Sequence, residues 1–470
     1  MAASWRPAPR SPSSDLSAIR RSPRGREPRI HPKADEVRRT IAGALALLLF
    51  GAAGSGAAMA PRMAAAHPAR IRTHQAAAVV VRAPARKPPL REARALWVTR
   101  WDYGNEATIR QVMDVASRAH LNIVYFQVSG PWDARYPSQL DPCSPRLCGR
   151  LGGVPTWDPL AVAVREAHGH GLQLHAWING LSGWESESGN ACRGLVPSVA
   201  GQPNHVLIDH PEWAMHTRAG SPQRCPNGEE YVFLSPGWPE VRTHLARVAA
   251  EVVRRYGVDG VHLDRIRYPG RDFGWDVPSL AAFGMDPATH PREWAQFRRD
   301  LVSRTVAEVH DSIRAVRAVP LSAAVWPIYD RERFGWPSSS GVGEFFQDTW
   351  GWAREGKLDV AVPMTYFWTT ETPCTYLPRR PGEEPNPDWM CMVRDHVGGL
   401  HAAGRHLYAG IRATLPRAEV DKEIRVGREL GVDGFSFYFY STFAENGLWS
   451  YLANGPFAEP AQVPEMDWMK

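Results

Sequence analysis

The chain has 470 residues, 44% hydrophobic and 22% charged, with 19 Trp, enough for one large barrel or two to three smaller domains. Its formal net charge of +6 is unevenly placed: residues 1–94 hold 18 Lys and Arg against 5 Asp and Glu, leaving 37 against 44 for residues 95–470. The basic excess therefore belongs to a Pro-, Ala- and Arg-rich leader, and a mildly acidic body excludes nucleic acid as the expected partner.

In the leader, Arg38 and Arg39 precede the apolar run Ile41–Phe50, and small residues follow to Ala60. This order reads as a signal peptide, with Ser55-Gly56-Ala57 as a small-residue cleavage site. The run is too short to cross a bilayer alone, so no stable span is expected after processing, although an uncleaved signal would leave an anchor. The expected divisions are residues 1–60 as leader and signal, 61–93 as a Pro/Ala/Arg-rich linker, 94–454 as the folded body and 455–470 as a polar tail. The expected location is periplasmic or secreted.

From Ala95 onward, short apolar runs alternate with amphipathic stretches. The runs are Ala95–Val98, Asn122–Val128, Leu172–Ile178, Gly260–Asp264, Leu321–Trp326, Leu358–Met364, Leu407–Ile411 and Gly434–Tyr440. The helical stretches between them include Ala107–Ala119, Pro159–Gly171, Pro239–Tyr256, Trp294–Val316 and Arg417–Leu430. Strand then helix, eight times, predicts an α/β fold, the (β/α)8 or TIM barrel. Turns before strands are short, as in RYGVDGVHLD and ELGVDGFSFY. The loops after strands are long, notably 129–157, 179–236 and 367–395, so the site is expected at that end.

All six Cys follow the leader, and an exported chain can oxidise them. The expected pairs are Cys143 with Cys148, Cys192 with Cys225 and Cys374 with Cys391, each closing one of the three long loops. Paired CxxC spacing is missing, so no metal is expected. Without HExxH, a P-loop or GxSxG, zinc-protease, nucleotide and serine-hydrolase readings fall away, and no cofactor is expected.

Within VDGVHLDRIRYP, the apolar strand Val261–Leu263 delivers Asp264 to its carboxyl end, where barrel enzymes carry catalytic groups. Arg265 and Arg267 offer a plain salt-bridge role for it as well. Other residues expected at the mouth are Asp102, Asp133, Trp177, Asn179, Arg267, Tyr268, Trp326, Tyr366 and Trp368, with Trp132, Trp184 and Trp336 on loops. Aromatic faces mixed with carboxylates and amides suit a sugar site. Glycoside hydrolysis usually needs two carboxyl groups, and Asp102, Asp133, Asp330 and Asp348 are candidates beside Asp264. His175 and His262 read as hydrogen-bonded core histidines.

The motifs RALWVTRWDY, FQVSGPWDARYPS, WDPLAVAVREAHGHGLQLHAWIN, LSPGWPEVR, VDGVHLDRIRYP and FQDTWGWAREGKLDVAVPMTYFW occur in this order between Arg94 and Tyr440. Together they resemble the glycosyl hydrolase-like 10 family of bacterial envelope proteins, which includes division-site peptidoglycan glycosidases. The resemblance implies Asp264 as nucleophile or principal carboxylate, as in retaining barrels whose nucleophile follows strand four. It implies Asp133 and Asp348 as acid or substrate-binding groups, and places Trp177, Asn179 and Tyr366 at the mouth. The implied substrate is a β-linked amino-sugar polysaccharide, cell-wall glycan foremost. Where the family has two consecutive aspartates after strand four, this chain has Asp264 and Arg265. It also has Gly180-Leu181 for Pro-Tyr-Arg and Met364 for Gln. A barrel that binds glycan without cleaving it is the alternative reading.

Overall fold

The computed structural model describes residues 90–185, 195–222, 231–333, 339–369, 374 and 388–470. Eight parallel strands close into a barrel in sequential order: Ala93–Val98, Ile123–Ser129, Gln173–Asn179, Gly260–Asp264, Leu321–Val325, Val360–Pro363, His406–Arg412 and Gly434–Tyr438. The eighth pairs with the first, Ala93 opposite Gly434. Each strand lies within two residues of its expected run, the last ending early because a helix starts at Tyr440.

Local chemistry sets the helices between strands. Asn105 and Thr108 cap Glu106–Arg118 reciprocally, Asp158 caps Pro159–Gly169, and Asp388 caps Trp389–Ala402 through the Cys391 N–H. The first seven residues of that last helix, 389–395, fall inside the stretch 367–395 expected as loop. Two glycines in the shared VDG turns are required by close packing. A Cβ on Gly260 would lie 2.5 Å from the His175 ring, and one on Gly434 would lie 2.3 Å from the Ala93 carbonyl oxygen.

Strand residues alternate between two cores. Leu96, Val98, Val124, Phe126, Ile178, Val261, Leu263 and Phe435 face the helices. Ala95, Trp97, Tyr125, Trp177, Ala324, Val362 and Tyr408 fill the barrel interior. At its centre the Trp97 ring meets Tyr125, Trp177, His262 and Tyr438 edge-on, at centroid distances of 5.4, 4.7, 4.6 and 5.7 Å. Its Nε1 donates to the Ser436 hydroxyl at 2.6 Å. His262 stacks on Tyr125 at 4.1 Å, with Nδ1 2.7 Å from the Ser322 hydroxyl. Both core histidines are therefore packed and neutral: burial holds the His175 imidazole down to about 4, and burial pushes His262 well below its ordinary value, with His175 adding to it.

Residues 455–470 lie across the amino face of the barrel. Gln462 exchanges backbone bonds with Leu90 and Glu92 at 2.8 and 2.9 Å, Arg94 donates to the Glu459 carbonyl, and Trp468 donates to Asp359. Two of the expected disulfides are present, Cys143–Cys148 and Cys374–Cys391. The pair Cys192–Cys225 lies outside the described residues. Among the described residues no helix is long and apolar enough to cross a membrane.

The histidine pair predicts acid sensitivity with a definite sign. Unfolding lets His175 and His262 return toward about 6.5 and take up protons that the folded barrel refuses, so stability is present above that pH and falls as pH drops from 6.5 toward 4. The loss attributable to His175 is about 3 kcal/mol. Denaturant melts at a series of pH values are expected to show this slope, and a shallower one in His175→Gln.

Candidate functional site

The carboxyl ends of the strands form the mouth. Asp264 is the last residue of strand four, on the interior side with His262 and opposite Asn179 of strand three. Its Oδ1 accepts the Arg265 backbone N–H at 2.6 Å and lies 4.0 Å from Arg267 Nη1, and its side chain keeps 13% exposure. Arg265 adopts a left-handed φ of 50°. That conformation is uncommon for a side chain with a Cβ, costs about 1 kcal/mol, and turns the guanidinium over the Tyr231 ring at 4.4 Å. The strain sits at the residue beside the candidate carboxylate.

Several side chains expected at the mouth lie at or just past the carboxyl ends of the neighbouring strands. Asn179 Oδ1 accepts from Trp177 Nε1 at 3.0 Å and from Gln127 Nε2 at 3.4 Å, which fixes both side chains at the floor. Tyr366 stacks on Tyr438 at 5.2 Å, and its phenol is pushed well above its ordinary value by burial, with Tyr438 and then Asp264 adding to the shift. Trp326 is half-buried, donates to the Ser339 carbonyl at 2.8 Å and carries the Arg267 guanidinium 5.6 Å from its ring centroid. Trp368 is exposed at the rim.

Other expected residues make contacts within the protein. Tyr268 does not reach the mouth: it is fully buried, edge-on to Phe346 at 5.3 Å, because the chain turns inward after Arg267 and its N–H bonds to the Phe345 carbonyl. Both Asp102 oxygens are engaged, one by the Thr99 N–H and hydroxyl and the other by the Ser441 hydroxyl. Asp348 caps the helix Thr349–Arg354 and accepts from the Tyr329 hydroxyl at 2.7 Å. Asp330 accepts the Glu332 N–H at 3.0 Å. Trp132 and Trp184 are buried, and Trp336 lies outside the described residues.

Asp133 is 2% exposed. Burial pushes its carboxyl above the ordinary range, against the opposing pull of Arg100 and Ser144. Arg100 is the hub of a buried network that the strand pattern does not reveal. It pairs with Glu185, donates to the Tyr231 hydroxyl at 3.3 Å, and stacks on Trp101 at 3.8 Å. Burial pushes the Tyr231 phenol up to about 12. Glu185, with 23% side-chain exposure, follows the short strand Ser182–Trp184 that pairs with Val232–Phe233 above strand three. The sole sequence signal for this network was the Arg in RALWVTRWDY. Among the described residues no cluster of His, Cys, Asp or Glu could hold a metal ion.

A parallel eight-stranded barrel whose mouth combines a carboxylate, amides and aromatic faces is the arrangement of carbohydrate-active barrels. The chain belongs to the glycosyl hydrolase-like 10 family, whose model matches residues 92–377, more than half of it. The glycosyl hydrolase DigH of Escherichia coli K12 is 30% identical over 264 residues, 54% of this chain and 56% of that protein. The chain thus spans little more than half the length of that relative. The glycosyl hydrolase YngK of Bacillus subtilis is 24% identical over 414 residues, 81% of this chain and 74% of that protein. In fold, the chain is similar to alpha-L-fucosidase isoenzyme 2 from Paenibacillus thiaminolyticus, with a TM-score of 0.50 and 14% identity over 80% of this chain and 51% of that one.

The buried network predicts a stability effect separable from chemistry. Arg100→Met leaves Glu185 without its paired cation and Asp133 with Arg135 in place of two arginines, and is expected to destabilise the fold by about 3–5 kcal/mol in denaturant melts. It also uncovers one face of Trp101, so quenching of indole fluorescence by acrylamide is expected to rise.

Proposed function

We propose that this protein is an exported glycoside hydrolase acting on a β-linked amino-sugar polysaccharide, with cell-wall glycan strands the favoured substrate. The observation that carries the reading is Asp264, an interior carboxylate at the end of strand four, set opposite Asn179 with Trp177, Trp326 and Tyr366 around the same mouth. The names of the relatives support hydrolysis, and two disulfides support an oxidising compartment.

In this reading Asp264 acts as nucleophile. Its carboxylate attacks the anomeric carbon while a protonated group gives its proton to the departing glycosidic oxygen, and water then releases the sugar with retained configuration. Asn179, Arg267, Trp326, Tyr366 and Trp368 hold the sugar rings. Asp133, Asp102 and Asp348 contribute by fixing Arg100, the turn after strand one and Tyr329. The engagement of these three carboxylates favours one second reading, a barrel that binds glycan without cleaving it.

The test incubates the purified chain with glycan strands stripped of peptides and with unstripped strands, beside Asp264→Asn. The wild type is expected to release new reducing ends, and the variant to fall about 10³-fold or more. Equal release by both proteins removes Asp264 from the chemistry. No release by either, with glycan still bound, selects the binding barrel. Proton NMR of the first product anomer checks retention.

A further inference from the structure

Among the described residues six large apolar side chains are exposed, and two of them are aromatic: Trp101 at 48% and Trp368 at 52%. Both lie just past the carboxyl end of a barrel strand, Trp101 beyond Val98 of strand one and Trp368 beyond Pro363 of strand six. An indole left in water gives up burial of roughly 150–250 Å², and these two exposed aromatics, the two among the described residues, share one rim, an arrangement that suits a stacking ligand.

Strands one and six are separated around the ring by strands eight and seven, nearly across the barrel from each other. With strand spacing near 4.8 Å and the usual tilt, the two points lie about 14 Å apart at the backbone. The line between them crosses the mouth, with strand four and Asp264 on one side and Tyr438 of strand eight on the other.

Both platforms are held in place. One face of Trp101 is covered by Arg100 at 3.8 Å, Arg146 approaches to 5.9 Å from inside the Cys143–Cys148 loop, and the Trp101 backbone N–H donates to the Thr99 hydroxyl at 3.3 Å. The Trp368 carbonyl accepts from the Trp389 N–H at 3.1 Å, and the next residue, Thr369, donates its N–H to Glu419 at 2.7 Å. A platform whose backbone is already fixed has only its side chain left to order when a sugar stacks on it.

We propose that Trp101 and Trp368 are the two outer subsites of a polymeric glycan that lies across the mouth, so that Asp264 meets an internal linkage. The inference rests on the glycan reading above and names its mode of attack: the chain continues past the carboxylate on both sides, as an enzyme trimming terminal sugars would not allow. About four linked rings are needed to reach both platforms.

The test separates binding from cleavage. Full-length Asp264→Asn is titrated calorimetrically with β-1,4-linked N-acetylglucosamine oligomers of increasing length, alone and combined with Trp101→Ala or Trp368→Ala. Affinity is expected to climb with length until both platforms are spanned, and each Trp substitution to flatten that climb, costing about tenfold for the longest oligomer. Wild type is then given the polymer, where early products of mixed length are expected. A length dependence untouched by either substitution, or release of single sugars from one end, overturns the proposal while leaving hydrolysis standing. If nothing is cleaved, the hydrolase reading falls, and a length dependence flattened by both substitutions still supports the platforms.

Discussion

The edge-on packing around Trp97 is the constraint on which the mouth depends. One ring from strand one meets rings from strands two, three, four and eight, and its N–H is satisfied by Ser436. Positive ring edges against negative faces favour this geometry over loose stacking. The interior is thereby plugged at one level, and everything above becomes a shallow layer resting on a rigid floor. Asn179 and Asp264 belong to that layer because the two-residue period of a strand carries them up from His175, Trp177 and His262 on the same side. A larger or smaller ring at position 97 would move the floor under all of them.

Above the floor, charge replaces aromatic packing as the organiser. Arg100 gathers Glu185, Tyr231 and Asp133, and Arg265 lies on the Tyr231 ring. Loops after strands one, two, three and four are thus joined through one guanidinium and one phenol. At the position where the resemblance leads one to expect a second aspartate, this chain carries the arginine that completes this arrangement. Arg265 thus sets a cation beside Asp264 and ties strand four to the neighbouring loop.

The barrel was legible because its signals are local and periodic: alternating runs, VDG turns, proline and aspartate at helix starts. Asp264 was legible for the same reason, being one polar residue that ends an apolar strand. The pairings Cys143–Cys148 and Cys374–Cys391 followed from proximity in sequence. Arg100 with Glu185 was hidden because the partners are 85 residues apart in a loop without period. Tyr268 looked like a mouth residue by its distance from Asp264 in sequence, yet the chain turns inward after Arg267 and buries it against Phe346. The partners of Asp102, Asp133 and Asp348 were not legible, because a helix cap or a turn contact is set by local geometry that the sequence letter does not carry.

The docked segment 459–468 gives the molecule a front and a back. It pairs with Leu90 and Glu92 at the start of strand one, so the polypeptide enters the barrel through the sealed face, opposite the aromatic rim. Any tether attached upstream of Leu90 therefore pulls on the face opposite the carboxyl ends of the strands. A barrel held in that way keeps its loop-bearing end turned away from the point of attachment.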